Sequence, residues 1–274
     1  IRYHCVTGVQ TCALPISDDF GAMGQKPSHP ELLDWLAGEF IRRGWSIKAM
    51  HRLIVTSSTY RMKSVPDPEA ERIDPTNTQL HRMNVRRLEG EVIRDALFAV
   101  SGDLSPVMYG PPVPVHLTTF MEGRGRPAQS GPLDGDRRRS IYLGVRRNFL
   151  NPMFLAFDTP SPFSTMGRRN VSNVPAQALT LLNDPLVLSQ AERWASRILD
   201  EPGLDRTRRV VLLYTAAFGR PPTDAEMAAS LDFLSVADPE LSRSAPSSRD
   251  ERSRRAWTDL CHVLINVKEF IYVD

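Results

Sequence analysis

The densest group of ionisable side chains lies between residues 86 and 95. Its members alternate in charge: Arg86, Arg87, Glu89, Glu91, Arg94 and Asp95. On a helix, Glu91 and Asp95 stand one turn apart on the same face, as general acid–base catalysis requires. The spacing also allows ion pairs on that helix, between Arg87 and Glu91 and between Glu91 and Arg94. Since neighbouring guanidinium groups favour ionised carboxylates, we expect ion pairing here more than acid catalysis.

A second group has the chemistry to bind an anion or a sugar. Asp158 and the pair Arg168–Arg169 precede a helix start at Pro175. A carboxylate beside two guanidinium groups can hold a charged or hydroxylated ligand, although the same residues can also anchor loops. The candidates for catalysis are therefore Glu89, Glu91, Asp95 and Asp158. The candidates for ligand binding are Arg87, Arg94, Arg168 and Arg169.

Other motifs argue against metal, nucleotide and nucleophile chemistry. The histidines show no H-E-x-x-H spacing, and the chain has no phosphate-binding glycine loop and no G-x-S-x-G motif. Cys261 and His262 are adjacent, so on a helix they point about 100° apart and cannot share one metal unaided. We expect no metal site. The formal net charge of +2 gives no strong field, so we also expect no nucleic-acid partner.

Residues 5–17, CVTGVQTCALPIS, contain two of the three cysteines. Their apolar run is too short, and too interrupted by Pro15, for a signal peptide or a membrane span. The two cysteines lack the spacing of a zinc or haem site. Residues 6–16 back-translate into a common sequencing-library adapter. We therefore expect residues 1–17 to be an artefact, and the protein's own sequence to begin near Ser17 or Asp18 with its upstream part missing.

The elements that position these groups are predicted to be mainly helical. Ser28 and Glu31 form a capping box for a first helix. Ser46 caps a second helix directly after Gly44, so the two helices should form a hairpin. A third helix is predicted over residues 86–101, with apolar residues at helical spacing.

Residues 105–139 contain many prolines and glycines and cannot form a regular helix. Such a long segment is functional, mobile or wrapped on the surface. Ser140–Val145 is the best strand candidate. Further helices are predicted on both sides of Asp184-Pro185, from Asp205, from a second capping box at Thr223 and Glu226, and from about Asp250.

The predicted fold class is mainly α: a multi-helix domain with helical hairpins, a long Pro/Gly-rich loop and at most a minor β element. Its helical parts cover residues 28–104 and 150–274.

Five phrases of the sequence then resemble one family. They are SHPELLDWLAGEFIRRGWSIKAMHRLIVTSSTYR, RMNVRRLEGEVIRDALFAVSG, RRSIYLGVRR, VPAQALTLLND and LCHVLINVKEFIYVD. In this order they are similar to the planctomycete-type domain of unknown function 1553, also called PSD1. The resemblance runs over residues 18–274.

The resemblance implies a context and not a reaction. Similar proteins usually carry an upstream companion, domain of unknown function 1549, and often a cytochrome-c-like haem domain before it. They tend to be exported to the periplasm or cell surface. We therefore expect a C-terminal fragment of such a protein, with no membrane span and no cofactor of its own. Any haem is expected in the missing upstream region.

Two functions follow as hypotheses. The first is a non-catalytic accessory domain whose apolar faces and 105–139 loop dock the companion domain. The second is a hydrolase-like enzyme that acts on glycans or sulfated glycans through its carboxylates and arginines. The enzyme hypothesis requires the charged residues of the third helix to line a concave pocket together with Asp158 and Arg168.

Overall fold

The computed structural model describes residues 26–163, 169–236 and 246–273. In those ranges the chain is mainly α-helical, and its named strands form one short antiparallel pair. The fold class predicted from the sequence is confirmed. The prediction that residues 1–17 are an artefact concerns residues outside the described ranges.

The chain divides into two compact units. The described part of unit 1 comprises residues 26–87, 169–170 and 272–273. That of unit 2 comprises residues 88–163, 171–236 and 246–271.

The elements of unit 1 are α1 (Pro30–Arg42), α2 (Ile47–Val55), α3 (Pro68–Ile73), β1 (Arg86–Arg87) and β2 (Tyr272–Val273). α1 and α2 form the predicted hairpin. Ser46 Oγ accepts the Ala49 N–H at 3.3 Å and so caps α2. Gly44 has a φ of 65°, which an L side chain rarely adopts. The N-cap of α1 is His29 and not Ser28, because the residue before a proline is disfavoured from the helical region.

The predicted start of the third helix is wrong. Residues Arg86 and Arg87 form strand β1 and pair with Val273 and Tyr272 of β2. The helix begins at Gly90. Local periodicity suggested a helix through residue 86, but a pairing partner from the far end of the chain decides the conformation there.

Unit 2 contains the remaining helices. They are α4 (Gly90–Ser101), α5 (Pro152–Ala156), α6 (Pro175–Asn183), α7 (Pro185–Asp200), α8 (Arg206–Phe218), α9 (Asp224–Val236), α10 (Pro246–Asn266) and α11 (Lys268–Ile271). Their predicted caps are confirmed. Asp184 accepts the Leu186 N–H at 2.8 Å, and Asp205 accepts the Arg208 N–H at 2.8 Å. Thr223 and Glu226 exchange the two hydrogen bonds of a capping box.

The core of unit 2 lies where α7 packs against α4 and α10. Trp194 of α7 is 1% exposed, and Ile93 of α4 and Ile265 of α10 are fully buried. Burying such a side chain contributes about 1.5–3 kcal/mol relative to leaving it in water. This packing fixes α4, the helix that carries Glu91, Arg94 and Asp95.

The segment between α4 and α5 follows the surface of unit 2 with its own hydrogen bonds. Val113 N–H donates to the Tyr142 carbonyl at 2.8 Å, and Gly144 N–H donates to the Val113 carbonyl at 2.8 Å. The strand predicted at Ser140–Val145 is wrong: Ser140–Tyr142 forms a single 3₁₀ turn, and Leu143 makes an isolated parallel bridge with Val113. At Ser140 the backbone N–H donates to Asp95 of α4 and not to a neighbouring strand.

Candidate functional site

Arg94 of α4 places a charge inside unit 2, with a side chain that is 1% exposed. Its Nη1 donates to the Arg138 carbonyl at 2.9 Å and to Ser140 Oγ at 3.1 Å. Its Nη2 donates to the Asp134 carbonyl at 2.6 Å. Burial lowers the pKa of Arg94, but a guanidinium starts so high that it stays protonated. Arg94 is therefore a buried cation that holds the backbone of residues 134–140.

Asp95 holds the same segment from the next position of α4. Its Oδ1 accepts both the N–H and the hydroxyl of Ser140, each at 2.7 Å. The same oxygen lies 3.6 Å from Arg94 Nη1. Ser140 Oγ thus accepts from Arg94 and donates to Asp95. We call Arg94, Asp95 and Ser140 the loop clamp.

The chain turns tightly around the Arg94 guanidinium. Gly135 has a φ of 60°, and a Cβ at this position would lie 2.6 Å from both Arg94 Nη2 and Leu143 Cδ2. The next residue, Asp136, also has a positive φ, of 54°. Asp134 accepts the Asp136 N–H at 3.1 Å, which closes the turn. Only glycine fits at position 135 without displacing the guanidinium.

A cleft opens beside the loop clamp in unit 2. It has a volume of about 110 Å³ and opens to solvent. Its walls are largely apolar and include Pro114, Leu133, Leu143 and Phe154. Its polar lining residues are Glu91, His116, Ser140, Asn151 and Thr159.

His116 has a defined orientation in this wall. Its Nδ1 lies 3.0 Å from the Gly131 carbonyl oxygen. A carbonyl can only accept a hydrogen bond, so Nδ1 carries the hydrogen and Nε2 of the neutral ring is an acceptor. A histidine held in one tautomer this way can bind a ligand hydroxyl or accept a proton.

Asp158 shapes the turn that leads to Thr159. It has a φ of 61°, in the left-handed region that Asp and Asn tolerate better than most residues. Its carboxylate accepts the Ser172 N–H at 2.8 Å and the Ser172 hydroxyl at 2.8 Å. Gln177 of α6 donates to the Ser172 carbonyl at 3.2 Å. Asp158 therefore fixes the turn after α5, and it is not among the residues that line the cleft.

The residues predicted from the sequence are distributed over several places. Glu91 lines the cleft, and Arg94 and Asp95 belong to the loop clamp. Glu89 is the N-cap residue of α4. Arg87 and Arg169 belong to unit 1, and Arg168 lies outside the described residues.

The structure thus brings Glu91, Arg94 and Asp95 together on one helix. The catalytic and ligand-binding roles that the sequence suggested for the eight residues stay predictions.

Sequence reasoning missed His116, Asn151 and Thr159 as cleft residues. None of them lies in a motif, and His116 stands in the Pro/Gly-rich segment, where no periodicity shows which residues come together. Asn151 was recognisable only as a helix cap: its Oδ1 accepts the Met153 N–H at 2.9 Å.

Other arginines of unit 2 bind the protein itself. Arg138 lies over the Tyr142 ring, 4.0 Å from its centroid, and donates to the Pro111 carbonyl at 3.0 Å. Arg137 and Arg193 both contact Asp103, at 3.3 and 2.8 Å. Arg137 and Arg193 therefore form ion pairs within the chain, and Arg138 binds a ring and a backbone carbonyl.

The described residues contain no group of three or more His, Cys, Asp or Glu residues that could hold a metal ion. No helix in the described ranges is long and apolar enough to cross a membrane.

Comparison with known proteins gives one match. Residues 14–234 match the family PSD1, described as a protein of unknown function (DUF1553). No curated protein and no solved structure matches the chain. Because the matched residues make up more than half of its length, the chain belongs to the PSD1 family.

Proposed function

We propose that this chain is a non-catalytic interaction domain that docks another domain of a larger exported protein. The observation that carries the proposal is the exposure of the α1–α2 hairpin. None of the nine residues of α2, all of which the structure describes, is buried. Yet Ile47, Met50 and Ile54 recur at the spacing of one apolar helix face. Within the described residues this apolar face is exposed at Ile47 and only half-buried at Met50 and Ile54. Such a face is suited to complete its burial against a partner.

Two tryptophans strengthen the case for this hairpin. Trp35 of α1 is 52% exposed, and Trp45 in the turn before α2 is 65% exposed. Ile41 and Ile47 beside them are also exposed. Tryptophan is enriched among the few central interface residues that carry most of the binding energy. We call Trp35, Ile41, Trp45 and Ile47 the hairpin surface.

The loop clamp supports a non-catalytic role. Arg94 and Asp95 make their hydrogen bonds to residues 134–140 of the same chain. A general acid or base must instead reach the proton that it transfers. These two side chains hold part of the segment between α4 and α5, and other parts of that segment expose Tyr109, Phe120 and Ile141 as further apolar contacts.

The partner we propose is the upstream companion, domain of unknown function 1549, in the same longer chain. A cytochrome-c-like domain with haem would precede it and perform any redox step. The whole protein would then act in the periplasm or at the cell surface. The family resemblance supports this context.

The alternative is a hydrolase that acts on glycans. One observation supports it, namely that Glu91 lines the cleft. Glycosidases generally use two carboxyl groups about 5–9.5 Å apart. Glu91 is the one carboxylate among the described residues that line the cleft. Asp95 and Asp158 both accept hydrogen bonds from serines, so they have structural uses already.

Calorimetric titration against the companion domain, produced separately from the same source, tests the proposal. We expect Trp45→Ala to weaken binding at least about tenfold, since truncating an aromatic at an interface centre typically costs about 2 kcal/mol or more. Phe233→Ala on α9 is the matched control, because Phe233 is 41% exposed and lies in unit 2. Circular dichroism of each variant checks that its helices persist.

The proposal fails if the companion domain gives no binding heat with the native chain. It also fails if Trp35→Ala and Trp45→Ala bind as tightly as the control variant.

A further inference from the structure

We propose that the cleft in unit 2 binds a neutral, hydroxylated ligand with an apolar face, the chemistry of an unsulfated sugar residue. The proposal concerns binding and requires no cleavage. It goes beyond domain docking, because the hairpin surface lies in unit 1 and the cleft in unit 2.

The form of the cleft is that of a small-molecule site. Such sites are concave, largely apolar and supplied with a few polar groups. Pro114, Leu133 and Leu143 provide apolar wall for the C–H face of a sugar ring. The polar residues lie in the same cleft, so one ligand can contact both kinds of surface.

Thr159 supplies the strongest evidence for a ligand. Its Oγ1 is buried, and within the described part of the chain it has no hydrogen-bond partner. An unpaired buried hydroxyl costs about 1–3 kcal/mol. The Asp158 carboxylate fixes the preceding turn through its hydrogen bonds from Ser172. Specific contacts therefore hold the Thr159 hydroxyl in this unfavourable position. A ligand hydroxyl in the cleft would provide the partner.

The other polar groups match hydroxyl groups as well. His116 Nε2 is an acceptor, because Nδ1–H faces the Gly131 carbonyl. Asn151 accepts two backbone N–H groups with Oδ1, which orients its Nδ2 as a donor. The Thr159 hydroxyl can both donate and accept. A hydroxyl group on a sugar ring also does both. This mixture of donors and acceptors therefore suits a sugar better than a ligand that can only donate or only accept hydrogen bonds.

The charges of the cleft favour a neutral ligand over a sulfated one. No lysine or arginine is among the described residues that line it, and Glu91 adds a carboxylate to the wall. The guanidinium of Arg94 is bound to the loop backbone nearby. A sulfate group would enter beside the Glu91 carboxylate, and the described lining residues offer it no lysine or arginine.

Nuclear magnetic resonance titration with sugars tests the inference. The neutral probes are methyl β-galactoside and methyl α-glucoside, and the charged probe is galactose 6-sulfate. We expect the neutral probes to shift the amide signals of residues 115–116, 133 and 159. We expect the sulfated probe to bind at least about fivefold more weakly, because like charges a few ångströms apart repel by about 1 kcal/mol or more.

Two variants give readouts that a purely structural role would not produce. Thr159→Val should leave the melting temperature unchanged or raise it, since it removes an unpaired buried hydroxyl. The same variant should weaken sugar binding about three- to tenfold. His116→Asn keeps a donor for Gly131 but removes the Nε2 acceptor, so it should also weaken binding. Thr215→Val is the control: its exposed hydroxyl donates to the Val211 carbonyl on α8.

Three results would overturn the inference: no shift with either neutral probe, equal or tighter binding of the sulfated probe, or unchanged affinity in Thr159→Val. None of them touches the docking proposal, which is measured with the companion domain. Loss of docking with sugar binding intact would overturn only the docking proposal.

Discussion

Among single residues, Arg94 shows most clearly how unit 2 accommodates an internal charge. Its hydrogen-bond acceptors come from residues 40 to 46 positions further along the chain. Nothing in the local sequence of α4 indicates those partners, which is why ion pairing within the helix was the natural expectation. The same applies to Asp95, whose partner Ser140 lies 45 positions away.

Replacing the buried cation tests the loop clamp. We expect Arg94→Met to lower the free energy of unfolding by about 3 kcal/mol or more, because removing one partner from a buried charged network leaves the others unsatisfied. Urea unfolding followed by circular dichroism measures this. Arg139→Met is the control, since Arg139 is 57% exposed and lies 3.8 Å from Asp95. Equal stability of the two variants would contradict the clamp.

Cys261 gives a second test at this scale. It is fully buried in α10, and burial raises the pKa of its thiol. Both facts predict that native Cys261 reacts with a thiol reagent at least about a thousandfold more slowly than in the unfolded chain. Mass spectrometry of the peptide that contains Cys261 locates the label. Native labelling within tenfold of the unfolded rate would show that α10 is not packed as described.

At the scale of elements, the sequence predicts those structural features that depend on residues close together in the chain. The caps at Ser46, Asp205 and Thr223 are local hydrogen bonds, and all three were predictable from residue type and spacing. Strand β1 and the turn at Ser140 depend on distant partners, and both predictions failed there. The cleft was not predictable for the same reason, because its walls come from segments that only the fold brings together.

One arginine joins three elements of unit 2. Arg220, just after α8, donates to both carboxylate oxygens of Glu226 at 2.8 Å. It also donates to both oxygens of Glu269 in α11, at 2.8 and 2.7 Å. The hydrogen bond from Arg220 lowers the pKa of Glu226 from 4.5 to about 2. This network ties the starts of α9 and α11 to the end of α8.

The lowered pKa of Glu226 predicts a pH dependence of stability. The folded value lies below the unfolded one, so the contribution is complete above about pH 4.5 and disappears as the pH falls towards 2. We expect Glu226→Gln to cost about 1 kcal/mol at neutral pH, a modest value because the pair is one-third exposed. The difference from the native chain should shrink in acid. Urea unfolding across this pH range measures the difference in the free energy of unfolding. Glu192→Gln, on the exposed surface of α7, is the control. A difference between Glu226→Gln and the native chain that does not change with pH would contradict the network.

At the scale of the whole molecule, the two units differ in the kinds of residues that they bury. Unit 2 buries a continuous apolar cluster around Trp194. In unit 1, the one buried residue of α1 is Glu39, which Arg42 and Arg43 neutralise, while apolar residues of the same hairpin stay exposed. Family membership was predictable from the five sequence phrases, but this contrast was not, because apolar periodicity shows which face is apolar and not what covers it.

Hydrogen–deuterium exchange tests the central claim, that the hairpin surface docks a companion domain. The amides of α1 and α2 are compared in the isolated chain and in the longer protein that contains the companion domain. We predict that exchange slows at least about tenfold in α1 and α2, since a docked interface adds more than 1.4 kcal/mol to local opening. The amides of α8 should serve as the unchanged reference. Equal exchange of the hairpin in the two proteins would contradict the claim.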